Sequence, residues 1–185
     1  MASTFTAMDH STAEQWGVIG TETMANQPRV GEYVLDMLRD LATITDGFAT
    51  DQLTHCLQTA TRAERDGADI EVIVASLCHD VGKRISVHNH AAIAAELLKP
   101  YVRDDVYQMI RTHQDFQGKH YYAHFGLDPD ARAQYQGESW FDLTANFADN
   151  YDQNSFDPDY DTLPLEHFED RVRTVFGTLG PTPLD

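Results

Sequence analysis

An all-α bundle is the fold this sequence predicts, on three observations. Apolar residues recur three and four positions apart in several successive segments, the spacing that gathers them on one helical face. Capping residues or a proline stand where those segments begin. Alternating apolar and polar runs, the mark of a half-buried strand, are nearly absent.

Residues 1–27 lack a sustained period and are expected to form an extended arm or a short helix ahead of a single helical domain over residues 28–185. From Pro28, which suits a first helical turn, apolar residues fall at Val30, Val34, Met37, Leu38, Leu41 and Ile44 and predict that domain's first helix. Asp46 and Gly47 interrupt it. Thr50 or Asp51 then caps a second helix with Leu53, Leu57, Ala60 and Ala63 on its apolar face, ended by Gly67. Asp69 caps a run from Ile70 to Asp80 that is apolar on nearly every side. Its β-branched residues suit a strand, but its length and its capping signature, Asp69 followed by Glu71, favour a buried central helix. Asn89 opens a helix carrying Ile93, Leu97 and Leu98, closed by Pro100, and Asp104 caps another carrying Val106, Met109, Ile110 and His113. Gly118 and Gly126 bracket a histidine- and tyrosine-rich segment. Two late helices, Glu138 to Tyr151 and Leu165 to Phe176, flank a loop from Pro158 to Pro164.

Composition narrows the functional classes. The 185 residues include 42% hydrophobic and 10% aromatic side chains, enough for a sizeable core and against wholesale disorder. With 13 Lys and Arg against 30 Asp and Glu, the formal net charge of −17 repels phosphate backbones, so no nucleic-acid partner is expected. No apolar stretch is long enough to span a membrane and residues 1–20 do not read as a secretion signal, so the expected location is the cytoplasm. Two cysteines, Cys56 and Cys78, make no disulfide framework and agree with a reducing compartment. The nine histidines point towards chemistry.

His79 and Asp80 stand together at the end of the apolar central run, where burying either without a partner is costly. Neighbours on a helix point about 100° apart, so the imidazole can hold one metal while the carboxylate reaches a second. Around this pair stand His55 in an apolar helical setting, His90 on the first turn of its helix, His113 near the end of another, and Asp152 in a late segment. Asp149 lies one helical turn before Asp152 and is a rival for the last position.

In these residues the chain resembles the HD-domain metalloprotein superfamily, a compact helical bundle that holds metal through a His, a His-Asp pair and a distant Asp. Those positions match His55, His79-Asp80 and Asp152, and His90 and His113 resemble the extra ligands of the binuclear branch. The strings His79-Asp80-Val81-Gly82-Lys83, Met109 to His113 and Tyr151-Asp152 are similar to those of mixed-valent diiron oxygenases, a group that includes myo-inositol oxygenase and phosphonate-cleaving enzymes. The resemblance implies two iron ions, Fe(II) and Fe(III), dioxygen, and a small polar substrate whose C–C or C–P bond breaks next to a hydroxyl. The chain departs from the phosphonate-cleaving pattern at Ala148, Asp149 and Asn150, where a basic residue is usual, and that argues against a phosphonate. The alternative on the same scaffold is a phosphohydrolase that uses manganese or magnesium on a phosphate ester or nucleotide.

Lys83 is the candidate catalytic and substrate-binding residue, joined by Gln117, Lys119 and His120 for substrate, with Tyr121 and His124 close in sequence. Arg84 reads as a surface residue, His88 as a weaker ligand than His90, and the two cysteines as small buried filler. The acidic stretch Asp157 to Asp161 lacks the glycine and closing glutamate of an EF-hand and reads as a solvated loop.

Overall fold

The computed structural model describes residues 5–178 and contains no strand among them; residues 1–4 and 179–185 of the two expected regions lie outside the described residues. The helices are α1 (Ala13–Ala25), α2 (Val30–Asp40), α3 (Gln52–Arg65), α4 (Ile70–Cys78), α5 (His90–Leu98), α6 (Asp104–Gln117), α7 (Phe141–Asn146) and α8 (Leu165–Phe176), with short 3-10 turns between several of them. No helix among the described residues is long and apolar enough to cross a membrane.

The arm holds a full helix rather than a short one. Thr12 and Gln15 form a reciprocal capping box at the start of α1, yet no residue of that helix is buried. A helix with no face to bury needs no apolar period, so the pattern reading passed over it.

At the centre lies α4, held at its start by Asp69, whose carboxylate accepts from the Glu71 and Val72 N–H groups at 3.0 and 3.2 Å. Every residue from Val72 to Cys78 is buried, as expected of a helix that is apolar all round and enclosed by neighbours. It packs against α3, α6 and α8, while α2 crosses α8 and α5 lies along α6. Gly31 brings α2 close to α8: a Cβ there would sit 3.3 Å from the Arg173 Cα. Val34, Leu35 and Leu38 fill the space beneath, and pairs such as Arg39–Glu169 and Arg173–Glu32, each at 2.6 Å, cross the solvent edge.

Three details differ from the sequence expectation. The residue capping α6 is Arg103, with Asp104 the first helical residue, where its charge still meets the positive end of the helix. The buried stripe of α5 is His90, Ala91, Ala94, Ala95 and Leu98, because small alanines let α5 lie close to α6 and leave Ile93 and Leu97 only half-buried. The first late helix starts at Phe141, not Glu138, and becomes a π-helix over Phe147–Asp152, marked by the Gln153 N–H bonding five residues back to the Ala148 carbonyl at 3.2 Å.

Replacing Leu38, which is fully buried, by Ala should lower the unfolding free energy by about 2–5 kcal/mol, the range for opening a core cavity. Urea titration measures it, and an unchanged slope would show that only stability has moved.

Candidate metal centre

Five elements deliver six metal-capable side chains to one point. His55 projects from the first turns of α3, His79 caps the C-terminal end of α4 with Asp80 beside it, His90 starts α5, His113 lies on α6, and Asp152 ends the π-helix. All six are at most 5% exposed. After Asp80 the chain turns through Val81–Arg84 and touches the start of α5 at Gly82, where a Cβ would lie 2.3 Å from the His90 carbonyl oxygen. Only glycine lets the two segments approach so closely.

The ring orientations are fixed by the backbone. Nδ1 of His55 lies 2.9 Å from the Ser155 carbonyl, that of His79 2.9 Å from Ser76, that of His90 2.7 Å from Val87 and that of His113 2.7 Å from Ile110. A carbonyl can only accept, so each Nδ1 carries a proton, and each ring, when neutral, turns a bare Nε2 lone pair inward. Those Nε2 atoms converge: His55 and His79 at 3.0 Å, His90 and His113 at 3.3 Å. Two lone pairs at such distances repel unless a metal ion or a proton lies between them.

The carboxylates complete two groups of donors. Asp152 Oδ1 is 3.2 Å from His55 Nε2 and 3.6 Å from His79 Nε2, and Asp80 Oδ2 is 3.5 and 3.4 Å from the same two atoms. The other Asp80 oxygen, Oδ1, faces His90 and His113 at 3.0 and 3.9 Å. Donors sharing one ion through bonds of about 2.1 Å lie about 3.0–3.5 Å apart, so the residues fit two cations with Asp80 between them. Asp80 Oδ1 and Asp152 Oδ2 are moreover buried without a hydrogen-bond partner, which a metal ligand oxygen has no need of.

Charge within the cluster is strongly coupled. Burial works to neutralise His79, but the Asp80 and Asp152 carboxylates outweigh it and hold its pKa well above the usual histidine value. Burial would raise both carboxyls, yet His79 keeps both below the ordinary aspartate range, Asp80 well below it. His113 is pushed down to about 4, by burial first and then by His79. In the absence of a cation the two acids therefore keep a proton on His79.

A cavity of 620 Å³ opens beside the cluster. Lys83, His90, Gln117, His120 and Tyr121 line it. The Lys83 ammonium is 2.6 Å from Asp80 Oδ2 and donates to Gln52 Oε1 at 2.9 Å. Gln117 donates to Asp152 Oδ1 at 2.9 Å. Lys119 is not among the lining residues: with His120 and Arg132 it surrounds Asp149 on the exterior. That arrangement also separates the two late aspartates. On an α-helix they would stand about 60° apart, but the wider π-turn spreads them further, sending Asp152 inward and Asp149 out. His88, His124 and Arg84 are exposed, and Arg84 pairs with Asp40. Cys56 and Cys78 are buried, free thiols whose pKa values burial raises.

Sequence reasoning missed four supporting residues. Gln52, fully buried at the first turn of α3, holds Lys83. Phe156 stacks on the His55 ring at 4.2 Å and Phe48 stacks on Phe156 at 4.5 Å, while Phe147 meets His79 edge-on at 5.5 Å. Gln52 had a signal, a polar residue next to a helix cap and three before a ligand, and Phe147 lies within the late helix the sequence predicts; Phe48 and Phe156 come from loops far apart in sequence and had none.

A family model described as HD domain matches residues 53–153, more than half of the chain and a span that encloses all six residues. No curated protein sequence matches the chain significantly.

Metal analysis should find two ions per chain, none after Asp80→Ala, one after Asp152→Ala, and two after Asp149→Ala. Gly82→Ala should displace His90 and lose only the ion held by His90 and His113. Loading must also displace the proton on His79, so affinity should rise about tenfold per pH unit below that raised pKa, with proton release seen by calorimetry in buffers of different ionisation enthalpy.

Proposed function

We infer the function from one premise: the chain belongs to the HD-domain family, which makes it a metal-dependent enzyme. We propose that it is a dinuclear non-haem iron oxygenase that uses dioxygen to break a C–C or C–P bond next to a hydroxyl in a small substrate. The observation that carries this reading is the division of Asp80, with one oxygen towards each group of imidazoles, beside a cavity in which the one lysine is already neutralised by that same carboxylate.

His55, His79 and Asp152 would hold one ion, His90 and His113 the other, with Asp80 shared. Imidazole and carboxylate donors suit iron, and an Fe(II)/Fe(III) pair would supply the one-electron chemistry that dioxygen requires. Lys83 aims its ammonium along the edge between Asp80 and the cavity, where it can hold a substrate oxygen as it forms or loses charge. Its pKa is raised, because Asp80 outweighs the burial that would lower it, so the lysine serves as a fixed donor rather than a base. Gln117 fixes Asp152 from the cavity side. Phe48 and Phe156 cover His55 and keep water from that flank. We place the reaction in the cytoplasm, where two free buried thiols remain reduced.

The same donors would serve a phosphohydrolase loaded with manganese or magnesium, in which the ions generate hydroxide and clamp phosphate oxygens. Lys83 favours that reading on its own. Against it, Lys83 is the one Lys or Arg among the described residues lining the cavity, and its charge is already met.

Iron-loaded protein should consume oxygen with an alcohol substrate, and Lys83→Ala should reduce turnover by roughly 10- to 100-fold with both metals retained. Phosphate release from esters by manganese-loaded protein, without oxygen uptake on any alcohol, would overturn the oxygenase in favour of the hydrolase.

A further inference from the structure

The cavity beside the cluster has an unusual order of polarity. Its three polar lining residues that touch the buried aspartates, Lys83, His90 and Gln117, stand at the inner end, against Asp80 and Asp152. Towards solvent one side of the wall is hydrocarbon: Phe48, Val87 and Phe125 line the same cavity and are 48%, 52% and 74% exposed, with Asp46 and His120 as the polar residues of the rim. Large apolar side chains gathered around an opening mark a place where apolar surface is covered by a ligand.

Charge excludes another class of occupant. Among the described residues lining the cavity no Lys or Arg is present except Lys83, which Asp80 neutralises at 2.6 Å. His120 is held by Asp149 at 2.9 Å, and Asp46 adds a carboxylate at the rim. A phosphate, phosphonate or carboxylate tail would therefore meet an acid and phenyl rings, with no cation to replace its hydration. A polyol would find partners at Gln114, Gln117, Gln153 and Tyr121, but its hydroxyls turned towards Phe48, Val87, Phe125 and Phe156 would lose the bonds they had in water.

We propose that the cavity accepts an uncharged amphiphilic alcohol, with its hydroxyl head at the inner end beside Lys83 and Gln117 and a hydrocarbon or aromatic body against Phe48, Val87, Phe125 and Phe156. The head-group chemistry rests on the oxygenase reading; the apolar body rests on the cavity wall alone. Phe156 has a second role here. Stacked between Phe48 and the His55 ring, it carries the apolar wall down to the metal cluster, so the body of the ligand and the donor ring share one column of rings.

The test measures binding and turnover separately on iron-loaded protein, using vicinal diols of three to eight carbons, a phenyl-substituted diol, glycerol, myo-inositol and glycerol phosphate. Calorimetry should show affinity rising about three- to fourfold per added methylene until the cavity is filled, the expected gain per buried CH₂. Glycerol, myo-inositol and glycerol phosphate should bind more weakly than the longest diol. Phe125→Ala, at an exposed position and so tolerated by the fold, should flatten the chain-length series while changing glycerol binding less than about twofold. A flat series, or tighter binding of a polyol or the phosphate, would overturn the proposal whether or not oxygen is consumed. A steep series without oxygen uptake would uphold the amphiphilic ligand and remove the oxygenase reading instead.

Discussion

Two carboxylates buried among four inward-facing imidazole lone pairs are the constraint on which the rest of this molecule depends. Left to themselves, Asp80 and Asp152 would have to be offset by a proton, and any neutral pair of Nε2 atoms at 3.0 or 3.3 Å would repel. Cations remove both costs at once. The helices have to tolerate that arrangement before any ion arrives, and the elevated pKa of His79 shows how: one proton held between the two acids stands in for metal charge. Binding a metal is thus an exchange of charge within a site already assembled by the fold.

The surrounding structure serves that point in layers. The central helix α4 delivers His79 and Asp80 because Asp69 fixes where it starts and its apolar circumference fixes how deeply it is buried. The 3-10 turn beyond it reaches α5 through Gly82, and the π-turn after α7 brings Asp152 back across α3. Gln58 and Thr61 then tether the acidic loop that follows, Gln58 donating to the Asp157 carbonyl at 2.6 Å and Thr61 accepting from the Leu163 N–H at 3.1 Å. That tether holds Ser155 where its carbonyl can orient His55.

What could be read from the sequence was whatever has a short period or a compact motif. Asp51 and Asp69 as caps, α8 over Leu165–Phe176, and the burial of α4 all follow from local patterns. The six cluster residues were legible as a motif, and their helices carried them to one place. Three kinds of feature were not legible. Alanine stripes carry too little hydrophobic signal, so the sequence points to Ile93 and Leu97 beside Leu98 as the face of α5, and of these three only Leu98 is fully buried. A π-turn has no composition of its own, so the choice between Asp149 and Asp152 lay beyond helical periodicity. Contacts made by loops far apart in sequence, such as the rings of Phe48, Phe156 and His55, have no pattern at all. Lys119 shows the same limit from the other side: it is close to Gln117 in sequence, but the Gly118 turn sends it to Asp149 on the exterior.

Because all four imidazoles are aimed by main-chain carbonyls, and three of them by the carbonyl three residues earlier, no neighbouring side chain has to be kept for that purpose. To the aiming of the rings Ser76, Val87, Ile110 and Ser155 contribute only an atom that every amino acid possesses, although the Val87 side chain also lines the cavity and that of Ile110 fills the core. Drift at those four positions leaves the aim of the rings unchanged, provided core packing and the helical path survive. Related chains can therefore diverge until little except the donors remains in common, and still present the same rings at the same angles.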